Sequence, residues 1–291
     1  MAPLEKPAAA TITVSNDDVQ RLCEFLYRRT GMLFDGSKRY YIDRRLTERI
    51  VATGARTFQE YFAHLRADAE HEIEHLVNSF TVNETYFYRE DHQLRCMSAN
   101  LLGEILQRKP PDEPIRIWSL PCSTGEEPYS IAIWLMENWP DVDRYNIEII
   151  GSDIDTRALK AAAEGMYGER ALMKLPKAIK DRYFSKLSDD RYQIDPGLRD
   201  SIRFTKVNLV DTPSMAEYRN IDIVLCRNVL IYFDDASRRL AAENIYDCLR
   251  PGGYICLGHS ETMSRISSLY QVCRFPDAIV YQKPEAEDDN R

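Results

Sequence analysis

The sequence predicts an α/β protein in which a doubly wound, mostly parallel sheet is preceded by a small all-α domain and interrupted by a small β insertion. Three observations carry this reading. Capping signals and apolar residues at helical spacing fill residues 15–80. A buried strand, a tight turn and a helix start follow one another without a gap in Ile115-Arg-Ile-Trp-Ser-Leu-Pro-Cys-Ser-Thr-Gly-Glu-Glu-Pro128. A second buried strand, 147–151, ends in Ser152-Asp-Ile-Asp155 and is again followed by a helix, the alternation expected of a parallel sheet.

With 291 residues the chain exceeds a typical domain of about 100–200 residues, so two domains are expected. A composition of 44% hydrophobic and 29% charged residues is that of an ordinary globular chain, not a disordered or membrane-embedded one. No apolar run approaches the ~18 residues of a membrane span, and residues 1–10 lack the basic-then-apolar layout of a signal peptide, so a cytoplasmic location is expected. The seven cysteines are scattered, odd in number and free of C-x-x-C pairs, which argues against a disulfide framework or zinc site; no metal is expected. A net charge of −8 disfavours nucleic acid as a partner, yet between Arg21 and Arg56 nine Lys or Arg stand against four Asp or Glu. That stretch suits an acidic partner.

Residues 1–14, rich in Ala and Pro, read as a mobile arm. Ser15 with Asp18 caps a first helix carrying Val19, Leu22, Cys23 and Leu26, which Gly31 stops. A second helix over 40–53 places Ile42, Leu46 and Ile50 on one stripe and Arg44, Arg45 and Arg49 on its other faces. Thr57 and Glu60 cap a third with Tyr61, Phe62 and Leu65 inside, and a fourth starts near Ala69 and buries Ile73, Leu76, Val77 and Phe80. Residues 81–111 then link this domain to the sheet through a polar, aromatic stretch, 81–90, and a helix from His92 to Arg108 that ends before Pro110-Pro111. The stretch holds Asn83, Thr85 and Arg89 and reads either as a flap over a ligand or as a hydrogen-bonded hinge.

The sheet domain, 112–284, continues past strand 147–151 with a helix at 157–164 and a strand from Ile202 to Leu209. An apolar run from Ile221 meets polar Arg227 and Asn228, which a buried strand end must hydrogen-bond to something. A helix over 236–249 closes at Pro251-Gly252-Gly253, a strand at 254–257 runs into Gly258-His-Ser-Glu261, and 271–283 fits an antiparallel pair. The alternation breaks over 167–203, where a helix at 176–184 and a short strand at 191–194 read as an inserted subdomain with a hairpin. Residues 285–291 form a charged tail.

In doubly wound folds a ligand binds at the carboxyl end of the first strand, facing the next helix. The turn here is not G-x-G-x-x-G, and Glu126 and Glu127 stand where a phosphate-binding helix would present bare N–H groups. A pyrophosphate would be repelled, whereas a positively charged nucleoside such as S-adenosylmethionine would not. Acids in a first turn can alternatively do no more than complement the helix dipole. Asp153, at the tip of the second strand, sits where such folds hold ribose hydroxyls, and Asp155 reads as the N-cap of the next helix. Cys122 has no histidine near in sequence to act as base and is not read as a nucleophile. His259 reads as a structural histidine.

Five motifs stand together in order and spacing: Asn83-Glu-Thr-Tyr-Phe-Tyr-Arg-Glu90, Ser123-Thr-Gly-Glu-Glu-Pro-Tyr-Ser130, Ser152-Asp-Ile-Asp155, Cys226-Arg-Asn-Val-Leu-Ile-Tyr-Phe-Asp234 and Gly258-His-Ser-Glu261. Through them the chain resembles, over about 15–283, the CheR family of S-adenosylmethionine-dependent methyltransferases that esterify glutamates of bacterial chemoreceptors. The resemblance implies a Rossmann-like, seven-stranded class I methyltransferase sheet with its last strand antiparallel. It implies cofactor contacts from Asn83, Thr85, Arg89, Glu127, Asp153, Asn208, Leu209, Arg227 and Asn228, with Tyr232 near the transferred methyl group. It also implies that the insertion is the family's β-subdomain, which in some members docks a receptor tether; here it is a few residues short.

The expected activity is therefore protein-glutamate O-methylation, with Tyr232 and Arg89 orienting the reacting groups and S-adenosylhomocysteine as product. The expected partner is the cytoplasmic domain of chemoreceptors, met by a monomer without nucleic acid or membrane insertion. Arg44, Arg45 and Arg49 are the expected docking residues, because an acidic chain approaching a glutamate-rich helix needs a local positive surface. A non-catalytic S-adenosylmethionine sensor and a nicotinamide-dependent oxidoreductase are the alternatives, the latter disfavoured by the turn.

Overall fold

The computed structural model describes residues 14–34, 38–67, 71–110 and 112–285. The expected arm, tail and start of the fourth helix fall largely outside them. The chain divides into two compact units, one up to Thr81 and one from Val82. Among the described residues no helix is long and apolar enough to cross a membrane.

The first unit consists of α1 (Asn16–Thr30), α2 (Arg39–Ala52), α3 (Phe58–Ala67) and α4 (His71–Phe80). Ser15 and Asp18 form a reciprocal capping box that satisfies two N–H groups at the start of α1, and Gly31 ends it in the left-handed conformation. Ile42, Leu46 and Ile50, one turn apart on α2, are all fully buried. The three arginines expected to dock a partner are not equally available on α2. Arg49 is bonded to the buried carboxylate of Glu72, which also accepts the Tyr61 hydroxyl at 2.9 Å. Arg45 donates to the Ser79 carbonyl and lies 4.1 Å from the Tyr41 ring centroid. Only Arg44, paired at 3.0 Å with Glu48, extends along the exposed surface. The reason is local: a buried acid on α4 demands a cation, and α2 is the helix packed against it.

The second unit opens with α5 (Asp91–Cys96), a π-helical turn at Met97–Leu101 and α6 (Leu102–Arg108), so the expected single helix contains a widened turn. Then come β1 (Ile115–Ser119), α7 (Glu126–Asn138), β2 (Ile147–Asp153), α8 (Thr156–Glu164), β3 (Met166–Tyr167), α9 (Glu169–Leu172) and α10 (Lys177–Tyr183). They are followed by β4 (Phe184–Ser188), β5 (Arg191–Ile194), α11 (Pro196–Ser201), β6 (Ile202–Lys206), α12 (Thr212–Met215) and β7 (Ile221–Cys226). The chain closes with α13 (Asp235–Cys248), β8 (Leu249–Leu257), β9 (Gln271–Arg274) and β10 (Ile279–Gln282).

Seven strands form one sheet in the order β6-β2-β1-β7-β8-β10-β9. The first five in that order run parallel, and β10 is antiparallel to both β8 and β9. β1 therefore lies between β2 and β7, at the point where successive strands switch direction of travel across the sheet and a ligand crevice opens. The insertion is a separate antiparallel sheet of three strands, β3-β5-β4, one more than the expected hairpin, because the short β3 also pairs with β5.

At the amino ends of the strands Asp222, on β7, is fully buried, with Lys109 Nζ at 2.7 Å, Arg250 Nη1 at 3.2 Å and the Arg116 N–H at 2.7 Å. Removing one partner of such a pair leaves the other charged and dry, at about 3–5 kcal/mol. Asp222→Ala is expected to lower unfolding free energy in urea by about that amount. A loss below about 1 kcal/mol would show that Lys109 reaches water or another acid without it.

Candidate functional site

The carboxyl end of β1 is built by a short turn, 120–125. Its backbone is stitched to both neighbouring strands: Leu120 N–H donates to the Leu225 carbonyl at 2.9 Å and Cys122 N–H to the Ser152 carbonyl at 2.8 Å. Ser123 and Gly125 both have positive φ, 49° and 92°. At Gly125 a Cβ would stand 2.8 Å from the Ala162 Cβ, so only glycine lets the turn approach α8. Burial pushes the Glu126 carboxyl upward, against the Thr124 hydroxyl that donates to it. Cys122 is buried and its thiol is pushed far up, first by burial and then by Asp153 and Glu127, so it stays protonated and is no nucleophile.

β2 delivers Asp153 beside this turn. One carboxylate oxygen accepts the Ser123 N–H at 2.8 Å and the other the Asp155 N–H at 2.9 Å. Burial dominates these bonds and raises its pKa to about 6. Asp153 is 4% exposed, so its place in the structure is first a clamp between turn and strand, and only its remaining lone pairs are available to a ligand. Asp155 caps α8 through the Arg157 and Ala158 N–H groups and accepts Asn83 Nδ2 at 2.8 Å with its other oxygen. Asn83 Oδ1 in turn accepts the Ser123 hydroxyl at 3.0 Å.

The stretch 82–90 is held against the sheet at its centre. Phe87 is fully buried, its ring edge-on to Tyr167 and Phe184 at 4.8 and 5.1 Å, while its N–H donates to the Ala171 carbonyl. Thr85 is half-buried on one side of this anchor. Arg89, on the other side, donates to the Glu84 carbonyl at 2.7 Å.

Past β7 stands Arg227, buried, whose Nε donates to Glu127 and whose Nη1 donates to the Arg89 carbonyl at 2.9 Å, with Glu90 at 3.7 Å. Glu127 is fixed on its other oxygen by the Ser119 hydroxyl at 2.7 Å. Burial raises the Glu90 carboxyl, but His259, 2.9 Å away, and Arg227 outweigh it and leave the pKa lowered. Asn228 follows at φ 60°, and Tyr232 lies half-buried at the end of a short 3-10 turn. Burial raises the Tyr232 phenol, opposed by the charge of Arg89, so it is neutral at physiological pH. After β6, the Asn208 side chain accepts the Val210 N–H and Leu209 is pinned through its carbonyl by Asn244.

Of the positions expected to meet a cofactor, Glu127, Asp153, Asn208, Leu209, Arg227 and Asn228 lie at or just beyond the carboxyl ends of β1, β2, β6 and β7, and Asn83 and Arg89 are bonded to groups there. Ser119 and Glu90 escaped the sequence reading as parts of this site; the available signal was a serine closing an apolar strand and an acid directly after Arg89. Three carboxylates stand here, two at the β1 turn and one at the β2 tip: Glu126 is buried beside Thr124, Glu127 is paired with Arg227 and Ser119, and Asp153 clamps the turn. A cavity of about 660 Å³ lies at the opposite, amino ends of these strands, between Arg116, Glu148, Arg203 and Tyr218, and shares no residue with the crevice.

A family model described as CheR methyltransferase, SAM binding domain, matches residues 83–279, and one described as CheR methyltransferase, all-alpha domain, matches 17–81. The chain is 46% identical over 274 residues to chemotaxis protein methyltransferase 2 of Vibrio cholerae, covering 94% of this chain and 95% of that relative. It is 37% identical to chemotaxis protein methyltransferase 2 of Pseudomonas aeruginosa, over 88% of this chain and 90% of the relative. Against the chemotaxis protein methyltransferase of Borreliella burgdorferi identity is 32%, over 87% and 90%. With its parallel-sheet crevice and helical N-terminal unit, the chain belongs to the CheR methyltransferase family.

Proposed function

We propose that this protein methylates glutamate side chains of chemoreceptors, using S-adenosylmethionine and releasing S-adenosylhomocysteine. The observation that supports the reading is the acid-rich β1 turn, with Glu126 and Glu127 where a polyphosphate site would present bare N–H groups, in a chain of this family. When bound, S-adenosylmethionine supplies an electrophilic methyl group on a sulfonium. A glutamate acceptor with a reference pKa near 4.3 is already ionised at neutral pH, so the site needs no general base. That agrees with the absence of a Cys-His or Ser-His pair in the crevice among the described residues, and with a neutral Tyr232 phenol. Tyr232 and Arg89 then orient the reacting groups, and Asn83, Thr85, Glu127, Asp153, Asn208, Leu209, Arg227 and Asn228 line the cofactor's bed.

Receptor docking is assigned to the basic face of α2, within the all-α unit. Arg44 is its outward member and Arg45 lies beside it, partly enclosed, while the charge of Arg49 is met by Glu72. The protein is taken to act as a monomer in the cytoplasm, where receptor cytoplasmic domains are met. The test is transfer of labelled methyl to receptor cytoplasmic fragments. Label that alkali releases as methanol is expected, and absent or alkali-stable label would overturn the reading.

Tyr232→Phe is expected to slow single-turnover methyl transfer by about tenfold or more while leaving cofactor affinity within a factor of about two, since positioning alone carries several kcal/mol of a barrier. A parental rate would remove Tyr232 from the site. A second expectation follows from the Asp153 carboxyl, raised by burial to about 6. Its ionised form is the better acceptor for ribose hydroxyls, so affinity for S-adenosylhomocysteine should fall as pH drops through about 6, and Asp153→Asn should flatten that dependence in calorimetry. A parental profile in the variant would leave Asp153 as a turn clamp only.

A further inference from the structure

The stretch Gly258-His-Ser-Glu261 follows β8, yet its acid reaches across to the loop after β7. Glu261 Oε2 accepts the Asn228 N–H at 2.8 Å and the Gly258 N–H at 2.9 Å, while Oε1 accepts the Leu230 N–H at 2.8 Å. One carboxylate therefore satisfies three backbone donors from two loops. Two of those donors flank Val229, whose carbonyl accepts the Tyr232 N–H at 3.0 Å and so starts the 3-10 turn that carries the phenol.

Two further observations show how closely this loop is held. Asn228 has a φ of 60°, a region where a non-glycine residue persists only when its surroundings fix it. A Cβ on Gly258 would stand 2.7 Å from Asn228 Nδ2 and 3.0 Å from Asn228 N, so the loops touch at a point where only glycine fits. Arg238 Nε, donating to the Leu230 carbonyl at 2.8 Å, closes the same loop from α13.

We propose that Glu261 is a positioning residue for methyl transfer, setting the loop 228–232 so that Asn228 faces the cofactor and Tyr232 faces the transferred group. The proposal rests on the function proposed above. A clasp that served stability alone would raise the unfolding free energy of the whole fold without any special tie to Tyr232. A positioning clasp acts through it.

The test is a double-mutant cycle on the full chain with Glu261→Gln, Tyr232→Phe and both together. Glu261→Gln keeps side-chain volume but sets an amide NH2 against a backbone N–H. Glu261→Gln is expected to slow single-turnover methyl transfer about tenfold at saturating cofactor, and in its background Tyr232→Phe should cost less than about twofold more. Effects that multiply in full would overturn the proposal. Amide hydrogen exchange gives a readout independent of activity: exchange at Asn228 and Leu230 should quicken about tenfold or more in Glu261→Gln while the amides of 222–226 keep parental rates. Unchanged exchange at Asn228 and Leu230 would overturn the clasp. A parent chain that transfers no methyl while its exchange responds as expected would overturn the proposed function and leave the clasp standing. Gly258→Ala, whose Cβ would stand 2.8 Å from Glu261 Oε2 and 2.7 Å from Asn228 Nδ2, pushes on both partners of the clasp while leaving residue 261 a glutamate, and provides a second variant with the same expected kinetic signature.

Discussion

Arg227 carries a positive charge into the interior at the carboxyl ends of the parallel strands, and the crevice depends on how that charge is met. Glu127 from α7 takes one edge of the guanidinium, the Arg89 carbonyl another, and Glu90 stands behind it. Three segments distant in sequence are thereby tied to one planar group that offers donors in several directions. Removing either side would strand a charge in a dry environment, the costly failure of buried ion pairs. Glu90 is shared between this guanidinium and His259, so the stretch before α5 and the loops after β7 and β8 meet at one polar cluster.

Acids elsewhere in this chain do comparable internal work. Asp153, Asp155 and Glu261 all accept backbone N–H groups at loop and helix starts, and Asp222 anchors the opposite ends of the strands. Such groups orient the turns after β1, β2, β7 and β8 relative to one another without help from ligand. Turns fixed in this way are preorganised, which is how a fold can hold reacting atoms in line. The net charge of −8 is therefore not only a surface property.

Local signals in the sequence were read where one mechanism acts alone. Ser15 and Asp155 are N-caps because a short polar side chain before an apolar helical stripe has little else to do. The β1 turn was legible from the chemistry of Gly125 and the acids after it. Features decided by partners far along the chain were not. Phe87 lies in a stretch without periodicity, and the insertion's Tyr167 and Phe184, with the Ala171 carbonyl, make it an anchor. The arginines of α2 were read by helix face, but Glu72, on α4, claims Arg49. Pro251-Gly252-Gly253 reads as a helix end and turn, whereas β8 already starts at Leu249, with a register shift opposite Ile221 to Ile223. Likewise β3 is only Met166 and Tyr167, too short to show alternation, and exists because β5 supplies its edge.

The account stands most directly on where the cofactor lies, and a crystal structure of the chain with S-adenosylhomocysteine measures that. It is expected to show the ribose hydroxyls against Asp153, the amino acid moiety among Glu127, Arg89 and Asn83, and the sulfur turned toward Tyr232, with the Arg227–Glu127 pair intact. A ligand seated instead in the cavity between His92, Phe275 and Tyr281, or one that binds only after Arg227 has left Glu127, would contradict it.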